Sequence, residues 1–159
     1  MTSRDSLTSH KDDLTELGLD NFAPYLMNRI IGRYNAGFQE EMVKLGLTTP
    51  QMRSLAVLSV RDGILIRELG VYAVVQQSTL NGGLDALEQG GLVVRQPDPD
   101  DSRATRIFLT DAGRDAYKRL WPQMADACKA MFAGIGASEK QVFLVTLQRI
   151  LKNIRKHDF

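Results

Sequence analysis

Apolar residues along this chain recur at two distinct periods, and the switch between them outlines the fold. From Phe22 onward, Phe22, Tyr25, Leu26, Ile30, Tyr34, Phe38, Met42 and Leu45 fall at three- and four-residue steps. That spacing predicts one long amphipathic helix closing at Gly46. Thr48 or Thr49 caps a second helix with Pro50 at its first position, running to about Arg61 and stopping near Asp62-Gly63. A short third helix, Ile66 to about Tyr72, leads through Val74-Val75 into a fourth that begins at Gln76-Gln77-Ser78-Thr79. There Leu80, Leu84 and Leu87, at i, i+4 and i+7, face the core, while Gln77, Asn81 and Asp85 lie on another side.

Gly90-Gly91 ends that helix, and the period changes. Leu92 to Gln96 and Thr105 to Leu109 are rich in β-formers around the turn cluster Pro97-Asp98-Pro99-Asp100-Asp101, which predicts a two-stranded hairpin. Thr110-Asp111-Ala112-Gly113 opens a long helix through Tyr117, Leu120, Met124, Cys128 and Met131, bent at Pro122. Gly134 and Gly136 break it. Ser138 with Gln141 resembles a capping box for a last amphipathic helix through Val142, Val145, Leu147, Ile150, Leu151 and Ile154.

The fold class that follows is mainly α with a small β-hairpin wing. Residues 1–18 read as a mobile acidic arm able to gain a helical turn on a partner. Residues 19–159 read as one domain: a central lobe over 47–113, with long helices at 19–46 and 114–159. Apolar stripes at both ends exceed what the lobe needs for its own cover, so the ends are expected to pair with a second copy about a two-fold axis.

Composition narrows the class. Hydrophobic residues at 43% and charged residues at 25% are ordinary for a globular domain. No apolar run approaches the roughly 20 residues of a membrane span, and the N-terminus lacks a signal-peptide core. No membrane association and a cytoplasmic location are the expectation. A lone Cys128 forms no internal disulfide, and the two histidines, His10 and His157, lie far apart, so neither metal nor other cofactor is expected. The sequence carries no enzyme signature, neither a phosphate-cradling glycine loop nor a nucleophile elbow.

Net charge is +1, so any affinity for nucleic acid must be local. The first twenty residues are net negative by three and the remainder net positive by four. A helix with one polar face followed by a hairpin with an arginine near its tip is an order that suits a DNA groove and the groove beside it.

Four segments, LTTPQMRSLAVL, IRELG, QQSTLNGGLDALEQGGLVVR and DPDDSRATRIFLTDAG, occur in this order from Leu47 to Gly113, and in it the chain resembles the MarR family of winged-helix transcription regulators. The resemblance implies a homodimer with interlocked terminal helices and two winged lobes. It also implies binding to a pseudo-palindromic double-stranded operator, usually as a repressor, with small organic ligands releasing many members from DNA. The family's recognition helix matches Gln76 to Glu88, making Gln76, Gln77, Ser78, Thr79 and Asn81 the groove contacts. Hydroxyls at a helix N-terminus suit phosphate, and Gln or Asn suits adenine edges; the plainer role for Ser78 and Thr79 is helix capping. The family's Asp-x-Arg signature falls on Asp101-Ser102-Arg103, where Arg103 can enter the minor groove and Asp101 can orient its guanidinium. Arg95 and Arg106 either reach phosphates or form the wet face of the strands.

Two departures stand out. Where many relatives carry a polar residue and an arginine, this chain has Asn81-Gly82-Gly83, and the glycine of the helix-turn-helix turn is Val74. The first implies either unusually close backbone approach to DNA or weakened base readout.

A small organic effector, an aromatic carboxylate in particular, is the further partner the resemblance suggests. Arg53 shares a stripe with Val57 and Val60 and supplies a cation, while Tyr25, Met27, Tyr34 and Met42 supply walls. The plainer reading makes Arg53 a solvated charge and the tyrosines core. Two alternatives stay open: a redox-responsive regulator using Cys128, whose neighbours Met124, Ala127, Met131 and Phe132 favour packing, and a winged-helix module that binds protein rather than DNA.

Overall fold

The structure, a computed structural model, describes residues 13–159. Most of the expected acidic arm, His10 included, lies outside the described residues. At its end Asp13 caps a helical turn, α1 (Leu14–Leu17), by accepting from the amides of Thr15 and Glu16 at 2.7 and 3.1 Å. A 3-10 turn at Leu19–Asn21 then leads into α2 (Ala23–Ala36).

The single long helix expected from Phe22 to Leu45 is two helices, α2 and α3 (Gln39–Lys44). The apolar period runs on, but the path turns at Gly37-Phe38. A side chain at Gly37 would meet the Cβ of Ala127 at 3.0 Å, so glycine permits a close crossing with α7 (Asp111–Met131). The turn carries Phe38 and Met42 into the core, 1% and 0% exposed.

Thr48 caps α4 (Thr49–Val60) in a reciprocal capping box: Gln51 N–H donates to Thr48 Oγ1 at 3.4 Å and Thr48 N–H donates to Gln51 Oε1 at 2.9 Å. Pro50 sits in the first turn, as expected. Helix α5 (Ile66–Ala73) ends at Val74, the only non-glycine residue with positive φ among those described, at 54°. The turn into α6 (Gln77–Gln89) therefore takes the left-handed conformation a glycine would take, closed by Val75 N–H donating to Gly70 C=O at 3.0 Å. A β-branched residue there costs on the order of 1–2 kcal/mol.

The wing is larger than the two-stranded hairpin expected. Strands β2 (Val93–Pro97) and β3 (Thr105–Leu109) pair antiparallel, and β1 (Ile64–Leu65) adds to the other edge of β3 with Ile64 opposite Ile107. Two residues are too short to show an alternation, which is why β1 escapes sequence reading. Helix α7 runs through Pro122 without interruption, and α8 (Ala137–Ile154) begins one residue after Gly136. Gly136, not Ser138, occupies the cap position of α8, with no side-chain cap bond, because the helix starts earlier than the Ser138–Gln141 spacing suggested.

The core lies in the lobe. Leu55 and Leu58 of α4, Leu69 of α5, Leu84 of α6, Ile107 of β3 and Leu120 of α7 are each 0% exposed. In contrast, α2 and α8 contribute no buried residue, while Ile30, Ile31, Val142, Leu151 and Ile154 are 42%, 46%, 67%, 61% and 72% exposed.

The turn between β2 and β3 is organised by the buried Asp98. Its carboxylate accepts from the amides of Asp100 and Asp101 at 2.8 and 3.0 Å and from Arg106 Nε at 2.6 Å. The Asp100 amide, then the Asp101 amide and the Arg106 guanidinium, hold this carboxyl below the usual carboxylate range, against burial acting the other way. Because the folded value is depressed, its stabilisation is complete above the unfolded pKa of about 3.9 and is lost as pH falls through the folded value. Amide exchange at Asp100 and Asp101 is expected to accelerate on acidification below that range, and Asp98→Asn is expected to give the fast exchange already at neutral pH. Unchanged protection in the variant would show that the carboxylate does not hold the tip.

Candidate nucleic-acid interface

The sides of α6 follow from its leucines. With Leu80, Leu84 and Leu87 turned inward at 2%, 0% and 2% exposure, residues Gln76, Gln77, Ser78, Thr79 and Asn81 are all left exposed. Gln76 occupies the cap position in extended conformation, and no side chain makes a cap bond at this end. Ser78 and Thr79 therefore do not cap the helix, and both stand exposed in its first turn, where a helix leaves amides without an intrahelical acceptor. Gln77 Nε2 donates to Asn81 Oδ1 at 3.2 Å, which aligns the two amide side chains along one flank.

That flank faces the wing. A cleft between them is lined by Arg67 of α5, Gln77 and Asn81 of α6, and Asp101, Arg103 and Thr105 of the wing. Asp101 Oδ1 accepts from the Arg103 backbone N–H at 3.0 Å and from its Nε at 3.3 Å, and the Arg103 side chain is still 90% exposed. The carboxylate orients the guanidinium without covering it. Arg67 was missed by sequence reasoning: IRELG reads as packing sequence, and only the start of α5 at Ile66 puts residue 67 in an outward first turn.

The other two arginines of the strands sit differently. Arg95 forks between Glu88 at 2.5 Å and Asp85 at 2.7 Å, and Glu88 also accepts from the Arg95 amide at 3.1 Å. Arg95, chiefly through its side-chain bond, holds the Glu88 carboxyl below its ordinary range. Arg106 bridges Asp98 and the Gly63 carbonyl, at 2.6 and 2.7 Å. Both guanidiniums tie the wing to the lobe.

The residues expected to form one effector site are distributed over several places. Tyr25 and Tyr34 line a groove between α2 and α7 together with Arg29, Arg33, Ala127 and Met131. Met27 lines a neighbouring apolar groove with Ile31, Phe132, Phe143 and Leu147. Met42 is fully buried, with no surface to offer, and Arg53 lines neither groove because its stripe on α4 points elsewhere. The cations beside the tyrosines are instead Arg29, whose Nη1 donates to Tyr25 Oη at 2.9 Å, and Arg33. Burial, then the neighbouring Cys128 and Tyr117, pushes the Tyr34 phenol up, so it stays a neutral donor at physiological pH. Cys128 is half-buried in α7. Among the described residues no helix is long and apolar enough to cross a membrane, and no three His, Cys, Asp or Glu side chains gather as a metal site.

Comparison with known proteins identifies the fold that carries these residues. The MarR family pattern matches residues 45–104. A MarR-family transcriptional regulator from Silicibacter pomeroyi of known structure is 53% identical, over 92% of this chain and 99% of that one, with a TM-score of 0.87. The transcriptional repressor IacR of Pseudomonas putida is 25% identical over 147 residues, 92% of this chain and 88% of IacR. The PcaV regulator from Streptomyces coelicolor, solved in complex with its natural ligand, is 25% identical over 87% of this chain and 97% of that one, with a TM-score of 0.71. With a solved member 53% identical along nearly its whole length, and the family pattern lying across the lobe that carries α6 and the wing, this chain belongs to the MarR family of winged-helix transcription regulators.

Proposed function

We propose that the protein is a homodimeric repressor that binds a pseudo-palindromic operator through Gln76, Gln77, Ser78, Thr79 and Asn81 of α6 and Arg103 of the wing. The observation that carries this reading is the exposed polar flank of α6 set directly across a cleft from an arginine that is 90% exposed. In it, Arg95 and Arg106 build the wing rather than reach phosphates, and Arg67 joins Arg103 as a cation at the cleft. The unburied faces of α2 and α8 support the second copy: residues 19–46 and 114–159 form the dimerisation region and 47–113 the DNA-binding lobe. Its place of work is the cytoplasm, with the DNA.

The groove of Tyr25, Arg29, Arg33 and Tyr34 is the effector site in this reading, and an aromatic carboxylate suits its two cations and two phenol rings. A ligand-bound relative, PcaV, and the repressor IacR support a ligand-released repressor. A redox switch has less support, since Cys128 has no second cysteine in the chain to pair with.

A duplex selected by the protein from a random pool supplies the probe. Arg103→Ala is expected to weaken binding of that duplex about tenfold or more, roughly 1.4 kcal/mol, and to lower the salt slope by about one counterion. Equal affinity in titrations of variant and parent would contradict the wing's role. A parent protein that enriches no duplex, with no salt-dependent DNA binding, would favour a protein-interaction module.

The effector reading has its own calorimetric test, with benzoate and larger aromatic carboxylates. The parent is expected to bind, and the double variant Arg29→Gln, Arg33→Gln to lose that heat while still binding the selected duplex. Retention of ligand binding by the double variant would place the site elsewhere.

A further inference from the structure

Gly82 sits where a helix has least reason to hold a glycine. In an exposed helix interior glycine costs about 1 kcal/mol relative to alanine. That cost is offset when a side chain would clash or when φ is positive. Neither applies at Gly82: its φ is not positive, and a Cβ built there would meet nothing within 4 Å beyond its own stretch of helix backbone. Its neighbour Gly83 differs, since a Cβ there would touch Gln51 Cγ at 3.6 Å and its carbonyl accepts from Gln51 Nε2 at 3.3 Å. Gly83 faces α4, whereas Gly82 faces out.

Helix residues advance by about 100° each, so Ser78, Gly82 and Gln89 fall opposite the buried Leu80, Leu84 and Leu87. Gly82 thus occupies the centre line of the outward face, with Asn81 beside it on the wing flank and Ser78 one turn earlier. A helix with side chains is about 10–12 Å across and a major groove about 12 Å wide, so the outermost side chain sets how far the axis stands off the bases. With none at residue 82, the short side chains of Ser78, Thr79 and Asn81 can reach base edges that a longer central residue would hold away.

We propose that Gly82 is a specificity-determining residue of the operator complex, its bare Cα seated against the C5-methyl of a thymine in the major groove. This rests on the reading of α6 as the groove helix and adds what its centre line recognises. The Cα offers an apolar contact and no hydrogen bond, and the thymine methyl is the one apolar feature of the major-groove base edges. A side chain at residue 82 would occupy the methyl's space and lift the flanking readers off their bases.

The test uses the full-length protein, a duplex that the parent selects from a random pool, and the variants Gly82→Ala and Gly83→Ala. Gly82→Ala is expected to raise Tm by about 2–4 °C, the shift that the recovered helix propensity implies for a chain of this size, while weakening duplex binding at least tenfold. Gly83→Ala is expected to bind within twofold of the parent. Replacing thymines of the duplex one at a time by deoxyuridine is expected to reveal one per half-site whose methyl the parent requires and Gly82→Ala ignores. Gly82→Ala binding within twofold of the parent, or a lowered Tm, would overturn the proposal, as would a duplex in which no thymine methyl matters to the parent. A parent that selects no duplex fails at the earlier step, the DNA reading itself.

Discussion

The burial of Leu80, Leu84 and Leu87 against α4 and α5 is the constraint from which the rest of the surface follows. A helix has one register, and fixing three leucines inward leaves no freedom over what faces out. Gln77, Asn81, Asp85 and Glu88 are turned toward the wing, Ser78 and Gly82 toward solvent, and Gly83 toward Gln51 of α4. The same packing brings Asp85 and Glu88 to Arg95, so the wing is anchored to the helix it flanks. The surface proposed for DNA is thus a by-product of an apolar core closing underneath it.

The arginines of the lobe divide by their carboxylates. Arg95 and Arg106 meet acids that reach them inside the fold and become struts, while Arg103 meets only Asp101, at the tip, and keeps 90% of its side chain in water. Arg114 repeats the strut pattern, paired with Asp62, whose other oxygen accepts from the Leu109 amide at 2.8 Å. The wing is held at its base by these ion pairs and at its tip by the Asp98 turn. The more exposed of these pairs, Arg95–Asp85 and Arg114–Asp62, contribute little to global stability, and their effect here is to fix position. A protein of net charge +1 can in this way present a cation where it is useful without being basic overall.

How much of this was legible in the sequence depended on the range of the cause. The leucine spacing of α6, the threonine cap ahead of Pro50, the Gly90-Gly91 stop and the β2–β3 turn are local, and each element stands close to where its residues placed it. The break at Gly37 was not legible, because the apolar period continues across it and its cause is Ala127, ninety residues away. Strand β1 carried no alternation to read, since β3 alone makes it a strand. Arg53 seemed the cation of a pocket because it shares a stripe with valines, yet a stripe does not say which helix lies opposite. Arg29 and Arg33, on the helix that supplies the tyrosines, are the cations that line the groove. The partners of Arg95 and Arg106 likewise needed the folded chain, the Gly63 carbonyl above all.

The proposed DNA surface is the outward face of α6 together with the tip of the wing. Amide NMR of the protein titrated with its selected duplex tests this most directly. The largest shift changes are expected at Gln76 to Gly82 and at Asp100 to Ala104, with the amides of α4 beneath them nearly still. Changes concentrated on α2 and α8, with α6 and the wing unmoved, would contradict it.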